Sequence, residues 1–331
     1  MRPDRLLRRG VLGLLVAGLM TVSAACGSSA PAQEGPASSG AAPAASPSAA
    51  GTKTLQTVNG AVEVPAAPQR VVSLFNTTAE LLELGVKPVG VLQEFESDYA
   101  PEDWAELQKI PVVGENETAI NYEQLLSLNP DLIISTQRRD EDFGYKKLSE
   151  IAPTVFIVTD NPAEVREALP KIAEAVGKED VLTAKIAEYK AKVADIKSRH
   201  ADVLAKTTWD YAEGGPEGFV ANSPVSWPGL FMEEAGLKFS EVATAERENR
   251  GVRLSFEQIS RLKDTSAILY GAGPDGKPDP ATGKLLEQGS WKLLPAAKEG
   301  RVYPISYGYQ YSYKGALAIV GQLDAILSKL S

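Results

Sequence analysis

The sequence predicts an α/β protein made of two Rossmann-like lobes joined by a single long α-helix. Strand-like and helix-like segments alternate on both sides of residues 179–206, and that middle stretch contains neither Gly nor Pro. Such alternation is typical of a mainly parallel sheet covered by helices. With 331 residues, the chain is long enough for two or three domains with a sizeable core.

The first lobe is predicted over residues 55–178. Short apolar runs indicate strands, and each predicted helix has a recognisable start or stop, such as Gly85 after one helix and Asn121 before the next. The predicted strands are 70–74, 86–92, 131–135 and 154–158, and the predicted helices are 78–84, 122–128 and 141–151.

Residues 179–206 are predicted to form the helix that joins the lobes. Apolar residues and His200 recur at alternating intervals of four and three, which places them on one face of a helix. This stripe consists of Leu182, Ile186, Tyr189, Val193, Ile196, His200 and Val203. The same pattern would also suit a surface helix lying along one domain.

The second lobe is predicted over residues 207–331, where the alternation resumes. Helices are predicted at 227–235, 255–262, 291–297 and 315–330, and strands at 267–270 and 301–305.

Residues 1–25 are predicted to be a signal peptide. Four arginines precede an apolar run of 12 residues, from Val11 to Val22, which is too short to span a bilayer as a stable helix. Cys26 follows small residues, so the segment resembles a bacterial lipoprotein signal with Cys26 as the lipidated residue. A plain signal peptide is the alternative, and the sequence leaves Sec and twin-arginine export open. Residues 26–54, rich in Ala, Pro, Ser and Gly, are predicted to be a disordered tether.

The composition argues against several classes of function. The formal net charge is −9, which disfavours nucleic-acid binding. A single Cys and a single His exclude an internal disulfide and a His cluster for a metal ion. Any Ser-His-Asp machinery would depend on His200 alone, and this residue is expected to be structural because it lies on the apolar stripe.

Seven segments in order resemble a known family. They are RVVSL, TAELLELGVKPVGV, INYEQLLSLNPDLIIS and IAPTVFIV in the first lobe, and SWPGLFMEEAGL, LSFEQISRLKDTSAILY and WKLLPAAKEGRVYPI in the second. Over residues 68–330 the chain resembles the solute-binding lipoproteins of ABC importers for ferric siderophores, haem and vitamin B12.

The resemblance implies a class III periplasmic-binding-protein fold. It also implies a monomeric, non-enzymatic carrier, lipid-anchored on the outer side of the cell membrane, which hands a ferric siderophore to an ABC permease and its ATPase. No cofactor is expected, because the siderophore itself holds the iron.

Glu123 and Glu257 occupy matching positions in near-copies of one segment, NYEQLLSL and SFEQISRL. A glutamate in the first turn of a helix stabilises the helix dipole, which is one explanation for both. The family resemblance implies a second role, in which each glutamate enters an arginine-lined pocket of the permease.

Most candidate ligand-binding residues follow predicted strands, because ligands bind at the carboxyl ends of strands in α/β sheets. Trp227 opens a predicted helix, and Arg250 is a candidate because the family resemblance implies that its segment lines the cleft. They are Phe75, Asn76, Phe95, Arg138, Arg139, Trp227, Arg250, Tyr270, Tyr307, Tyr309 and Tyr311. If residues 307–313 are extended, their four tyrosines face one way and offer a phenol-rich surface to a bulky chelate. These residues also have structural explanations. The tyrosines could pack on the core, Arg138 and Arg139 could be a solvated pair, and Trp227 could simply anchor the start of its helix.

Several functions therefore remain open at this point. Many tyrosines beside few arginines favour a ferric hydroxamate over a triply anionic catecholate. Haem and cobalamin are alternatives within the same fold. A secreted α/β enzyme and a surface interaction protein that has lost its ligand are alternatives from other classes.

Overall fold

A computed structural model describes residues 51–138, 142–246, 249–306 and 312–330. The signal peptide, Cys26 and most of the predicted tether lie outside the described residues. The described chain opens with an antiparallel hairpin of β1 (Thr52–Thr57) and β2 (Gly60–Pro65). The strand β1 thus begins three residues inside the range predicted as tether, because the backbone from Thr52 onward pairs with β2.

The first lobe contains a four-stranded parallel sheet in the order β4–β3–β5–β6. Its strands are β3 (Val71–Ser73), β4 (Gly90–Val91), β5 (Leu132–Gln137) and β6 (Thr154–Val158). Its helices are α1 (Thr78–Glu83), α2 (Pro101–Leu107), α3 (Tyr122–Ser127), α4 (Tyr145–Ser149) and α5 (Pro162–Val176), with a 3₁₀ turn at Glu96–Asp98.

Three helices of this lobe differ from the sequence prediction, since α2 and α5 were not predicted and α4 is shorter than expected. The helix predicted at 141–151 is shorter, because Gly144 adopts a left-handed conformation (φ 77°) immediately before α4. The long helix α5 was not predicted, although Asn161 caps it and Pro162 opens it, which together form a common helix-start signal.

The connection between the lobes consists of α6 (Glu179–Arg199) and α7 (Ala201–Lys206), rather than one unbroken helix over 179–206. At 1.5 Å per residue, α6 spans about 32 Å. The break falls at His200, whose Nε2 lies 2.8 Å from Oδ1 of Asp324. The buried side of α6 carries Leu182, Tyr189 and Ile196, as the apolar stripe predicts.

The second lobe contains a six-stranded mixed sheet in the order β10–β8–β7–β11–β12, with β9 also paired to β7. Its strands are β7 (Thr208–Gly214), β8 (Gly218–Asn222), β9 (Lys238–Phe239), β10 (Gly251–Ser255), β11 (Ala267–Ala272) and β12 (Val302–Ser306). Its helices are α8 (Trp227–Glu234), α9 (Glu241–Thr244), α10 (Pro280–Glu287), α11 (Pro295–Lys298) and α12 (Tyr313–Leu327), with 3₁₀ helices at Phe256–Leu262 and Trp291–Leu293.

Antiparallel pairing on one side of this sheet was not predicted. Strand β8 runs antiparallel to both β7 and β10, whereas β9, β11 and β12 continue the parallel arrangement. Tyr313 does not continue an extended tyrosine segment, because Ser312 accepts a hydrogen bond from the Gly315 amide (3.1 Å) and starts α12.

One apolar core runs from the first sheet to the second through α6. The same cluster contains Ile134 of β5, Tyr189 of α6 and Leu269 of β11. Separate apolar clusters cover the opposite face of each sheet, so both sheets are covered on their two sides. Among the described residues, no helix is both long and apolar enough to cross a membrane.

Polar contacts also join the lobes beside this core. The backbone amide of Tyr313, at the start of α12, donates to Oε2 of Glu83 on α1 (2.7 Å). Lys314 pairs with Asp103 on α2 at 2.6 Å. Both contacts fix the start of α12, which directly follows the predicted tyrosine segment, against the first lobe.

Candidate ligand-binding site

A pocket of about 550 Å³ opens in the second lobe, at the start of α8 and across β7, β8 and β10. This volume lies within the range of small-molecule sites, about 300–1,000 Å³. All of its lining residues that the structure describes belong to the second lobe. They are Glu213, Val220, Asn222, Ser226, Trp227, Pro228, Glu246, Asn249, Arg250, Gly251 and Arg253.

The floor of the pocket is built by the turn that leads from β8 into α8. Ser226 caps α8 by accepting a hydrogen bond from the Gly229 amide (3.1 Å), and this places Trp227 at the first helical position, 9% exposed. The amide of Ser223 donates to the carbonyl of Arg250 (3.1 Å), which ties the turn to the start of β10. Trp227 and Arg250, both predicted from the sequence, therefore line the same pocket.

Two glycines allow close backbone packing around the pocket, because neither position has room for a Cβ atom. A Cβ on Gly229 would lie 1.9 Å from the carbonyl oxygen of Ser223, so a larger residue would displace the turn. A Cβ on Gly251 would lie 2.6 Å from Cγ1 of Val220 on the neighbouring strand. Gly251 thus allows β10 to approach β8 and leaves the pocket above Val220 unfilled.

The pocket has a buried polar and aromatic floor and a charged rim. Asn222 and Ser226 are buried, whereas Arg250 and Arg253 are exposed. Within the described residues, neither arginine has a carboxylate oxygen within the 4.0 Å of an ion pair. Two guanidinium groups without a carboxylate partner among the described residues, beside a buried indole, can bind an anionic, partly aromatic molecule through charge-assisted hydrogen bonds.

The candidate residues of the first lobe lie along the carboxyl edge of its sheet. The carbonyl of Phe75, after β3, accepts from the amide of Thr136 (2.9 Å) in β5, two residues before the exposed Arg138. The ring of Phe75 packs edge-on against Phe143 at 5.8 Å. Asn76 adopts a left-handed conformation (φ 50°), which is uncommon outside glycine and often marks functional turns.

Phe95 lies after β4, at the start of the 3₁₀ turn Glu96–Asp98. Its side chain is 63% exposed, which is unusual for a phenylalanine and leaves an aromatic surface available for contact.

Tyr270 is not among the residues that line the pocket. It pairs with Ala212 across β11 and β7, and Ala212 precedes Glu213, so the alternation of strand side chains places Tyr270 on the sheet face opposite Glu213. Arg139, Tyr307, Tyr309 and Tyr311 lie outside the described residues.

Glu123 and Glu257 are both exposed and both lie in the first turn of a capped helical segment. Asn121 accepts a hydrogen bond from the Gln124 amide (3.1 Å), and Ser255 forms a reciprocal capping box with Gln258. The hydrogen bond from the Ser255 side chain lowers the pKa of Glu257. The two carboxylates thus occupy equivalent positions on the two lobes, as their near-identical segments predict.

A family model described as periplasmic binding protein matches residues 71–306, which is most of the chain. The chain belongs to this family. Its fold is that of two α/β lobes joined by a long helix, as the sequence predicts.

Solved structures and characterised proteins support the same assignment. The siderophore periplasmic binding protein from the fuscachelin gene cluster of Thermobifida fusca is 32% identical, with a TM-score of 0.74 over 80% of this chain and 98% of that one. The iron(3+)-hydroxamate-binding protein FhuD of Bacillus subtilis is 27% identical over 289 residues, which cover 85% of this chain and 87% of the relative. The iron(3+)-hydroxamate-binding protein YxeB of the same organism is 27% identical over 327 residues, or 97% and 95% of the two chains.

Most pocket residues of this periplasmic binding protein were not candidates from sequence, and three polar ones among them lie on strands: Glu213, Asn222 and Arg253. Each lies on a strand, and the cross-strand register brings them to the pocket face. The alternation of buried and exposed residues in VRLS, with Arg253 between Val252 and Leu254, was the available signal for the strand.

Buried carboxylates in the first lobe form a second electrostatic feature. Burial raises the pKa of Glu80 to about 8, and no other described residue donates a hydrogen bond to its carboxylate oxygens. Burial also raises the pKa of the neighbouring Glu94, which accepts a hydrogen bond from Tyr99 Oη (2.7 Å). Among the described residues, no group of three or more His, Cys, Asp or Glu side chains is arranged to hold a metal ion.

Proposed function

We propose that this chain is the substrate-binding lipoprotein of an ABC importer and captures a ferric siderophore outside the cytoplasm. The observation that carries the proposal is the pocket in which Arg250 and Arg253, which have no carboxylate partner within the described part of the chain, lie beside the buried Trp227, in a member of the periplasmic binding protein family. Relatives bind iron(3+)-hydroxamates or other ferric chelates, according to their names. Family members and solved neighbours are binding proteins, and the proposal assigns no reaction to this chain.

In this proposal the ligand contacts both lobes. The second lobe supplies Trp227 and Arg250, and the first lobe supplies Phe75, Asn76, Phe95 and Arg138 from the carboxyl edge of its sheet. Arg139, Tyr307, Tyr309 and Tyr311, which lie outside the described residues, complete the proposed site, and Tyr270 is left out of it because it lies on the other face of the sheet. The chelator saturates the iron, so the protein binds the surface of the complex and does not ligate the metal.

Fluorescence titration of the purified full chain tests this function. Ferric hydroxamates, ferric catecholates, haem and cobalamin are added in turn, and quenching of tryptophan emission gives each Kd. We expect a ferric hydroxamate to bind most tightly. Preference for a triply anionic catecholate would contradict the hydroxamate assignment, binding of haem or cobalamin alone would contradict the siderophore assignment, and no binding would refute the function.

The proposed site has its own matched test. Arg250→Gln should weaken binding of the best ligand about tenfold or more, because a hydrogen bond to a charged group is lost. Arg261→Gln removes the same charge from an exposed position that does not line the pocket. Equal affinities of these two variants would remove Arg250 from the site.

We further propose that Glu123 and Glu257 dock the carrier on the permease. Both carboxylates are exposed, and neither lines the pocket. Replacing both with Arg should abolish uptake of the labelled ferric chelate by cells and leave its Kd unchanged. Glu150 and Glu287, exposed glutamates on the same two lobes, provide the matched control when both are replaced with Arg. Normal uptake by the Glu123 and Glu257 double variant would refute the docking role.

The membrane anchor is proposed at Cys26, which lies outside the described residues. Cells fed a labelled fatty acid should label the wild-type chain and not Cys26→Ala. Label on the Cys26→Ala variant would place the anchor elsewhere.

A further inference from the structure

The pocket of the second lobe contains a carboxylate as well as two arginines. Glu213, near the end of β7, is half-buried, and its carboxylate has one described partner, Nδ2 of Asn222 at 3.5 Å. The other lining carboxylate, Glu246, is exposed and accepts a shorter hydrogen bond from Asn249 (3.1 Å). Glu213 is therefore the lining acid that is partly removed from water and weakly paired.

Glu213 and Arg253 form no ion pair with each other, although they lie on the same face of the sheet. Glu213 is opposite Val220, and Val220 is opposite Arg253, so the three residues form one row on the same face of β7, β8 and β10. Neighbouring strands are about 4.8 Å apart, which separates the backbones of Glu213 and Arg253 by about 10 Å. Within the described residues Glu213 has no cation at ion-pair distance.

A site with opposite charges at the two ends of one row is complementary to a molecule that carries both charges. Anionic oxygens of a ligand would lie at the Arg250 and Arg253 end, over Trp227. A primary ammonium or guanidinium group would reach Glu213, where it can donate to both Glu213 and the side-chain oxygen of Asn222. A ligand with negative charge alone would instead place that charge near an uncompensated carboxylate.

We propose that Glu213 selects the ligand by its positive charge, so that the preferred substrates are ferric siderophores bearing a free amine or guanidine. This inference rests on the proposed function, because it specifies the class of chelate that the same pocket takes. Glu213 is then a specificity-determining residue, and Arg250 and Arg253 supply the affinity that is common to all ligands of the pocket.

A pair of chelates that differ by one charge tests the proposal. Ferric desferrioxamine B is a linear trihydroxamate ending in a primary amine, and its N-acetyl derivative carries a neutral acetamide in place of the ammonium group. Tryptophan quenching of the full chain gives the Kd of each. We expect the amine form to bind about tenfold more tightly or better, as for loss of a hydrogen bond between charged groups. Glu213→Gln should abolish this difference.

The control is Glu217→Gln, which makes the same charge change at an exposed hairpin position outside the pocket and should keep the preference. A panel of ferric catecholates, ferric citrate and amine-free ferric hydroxamates is titrated in parallel. Equal binding of the two desferrioxamine forms, or a preference that survives in Glu213→Gln, overturns the role of Glu213 and leaves the proposed function intact. If only amine-free chelates bind, the role of Glu213 is likewise overturned and the proposed function stands. If no chelate binds, the proposed function fails, and this inference fails with it.

Discussion

Arg166 offers a sharp test of how the two lobes are held together. Located on α5, it pairs with Glu234 of α8, and Tyr189 of α6 donates to the same carboxylate. Its guanidinium carbon also lies 4.8 Å from the centroid of the Tyr189 ring and 5.1 Å from those of Phe231 and Tyr313. The pair is 14% exposed at Arg166 and 32% at Glu234. This cluster connects the first lobe, the joining helix and the second lobe.

Replacing Arg166 with Met should destabilise the protein by about 3 kcal/mol. Removing one partner of a buried ion pair costs about 3–5 kcal/mol, because the other charge stays buried. We expect a cost at the lower end of this range, because Glu234 still accepts the hydrogen bond from the Tyr189 hydroxyl and is about one-third exposed to solvent. Glu234→Gln should cost less, and the Arg166→Met, Glu234→Gln double variant should lose about 1–2 kcal/mol less than the sum of the singles.

Urea unfolding, followed by circular dichroism and by tryptophan fluorescence, measures these free energies when the two transitions coincide. Lys87→Met breaks an exposed pair with Glu106, whose partners are 55% and 50% exposed, and should cost less than about 1 kcal/mol. Arg166 does not hold the lobes together through Glu234 if Arg166→Met costs no more than this control, or if the effects of Arg166→Met and Glu234→Gln simply add.

Two further predictions concern the pH dependence of stability and the packing of the pocket. The pKa of Glu80 is about 8 in the folded state because of burial, against 4.5 for an unburied glutamate, so the folded state keeps a proton that the unfolded state loses. The free energy of unfolding should therefore fall by up to about 5 kcal/mol as pH rises between these two pKa values. Urea unfolding should show that Glu80→Gln removes most of this fall, whereas the exposed control Glu123→Gln does not. If the pH dependence of stability is unchanged in Glu80→Gln, Glu80 is not its cause. Gly251→Ala should lower stability by about 1–3 kcal/mol, because its Cβ would meet Val220 Cγ1 at 2.6 Å and the Ala221 carbonyl at 2.7 Å. Gly289→Ala, which has nothing within 4 Å, should change thermal unfolding little, and equal melting temperatures of the two variants would disprove the contact.

Local signals in the sequence predicted several elements of the first lobe and the buried face of the joining helix. Asn121 caps α3 as its side-chain chemistry predicts, and the stripe of Leu182, Tyr189 and Ile196 faces the core. Such features depend on residues within one or two turns of each other, so they can be seen without knowledge of the partners.

The antiparallel strands of the second lobe were not predicted because their pairing is decided by residues far along the chain. Strand β8 pairs with β10 across about thirty residues of intervening helix and loop. Trp227 was predicted as a site residue because it begins a helix, and Arg250 because the family resemblance implies that its segment lines the cleft. Glu213 was missed, since a glutamate in an unrecognised strand is indistinguishable from a solvated one until the register is known.

The continuous apolar core from β5 through α6 to β11 has a consequence for delivery. Rotating one lobe away from the other would expose this shared apolar core to water. The ligand-bound and ligand-free forms of the protein should therefore have nearly the same conformation. A membrane partner that must tell them apart would then have to detect the cargo itself, or small shifts at its edges, and not a large closing motion.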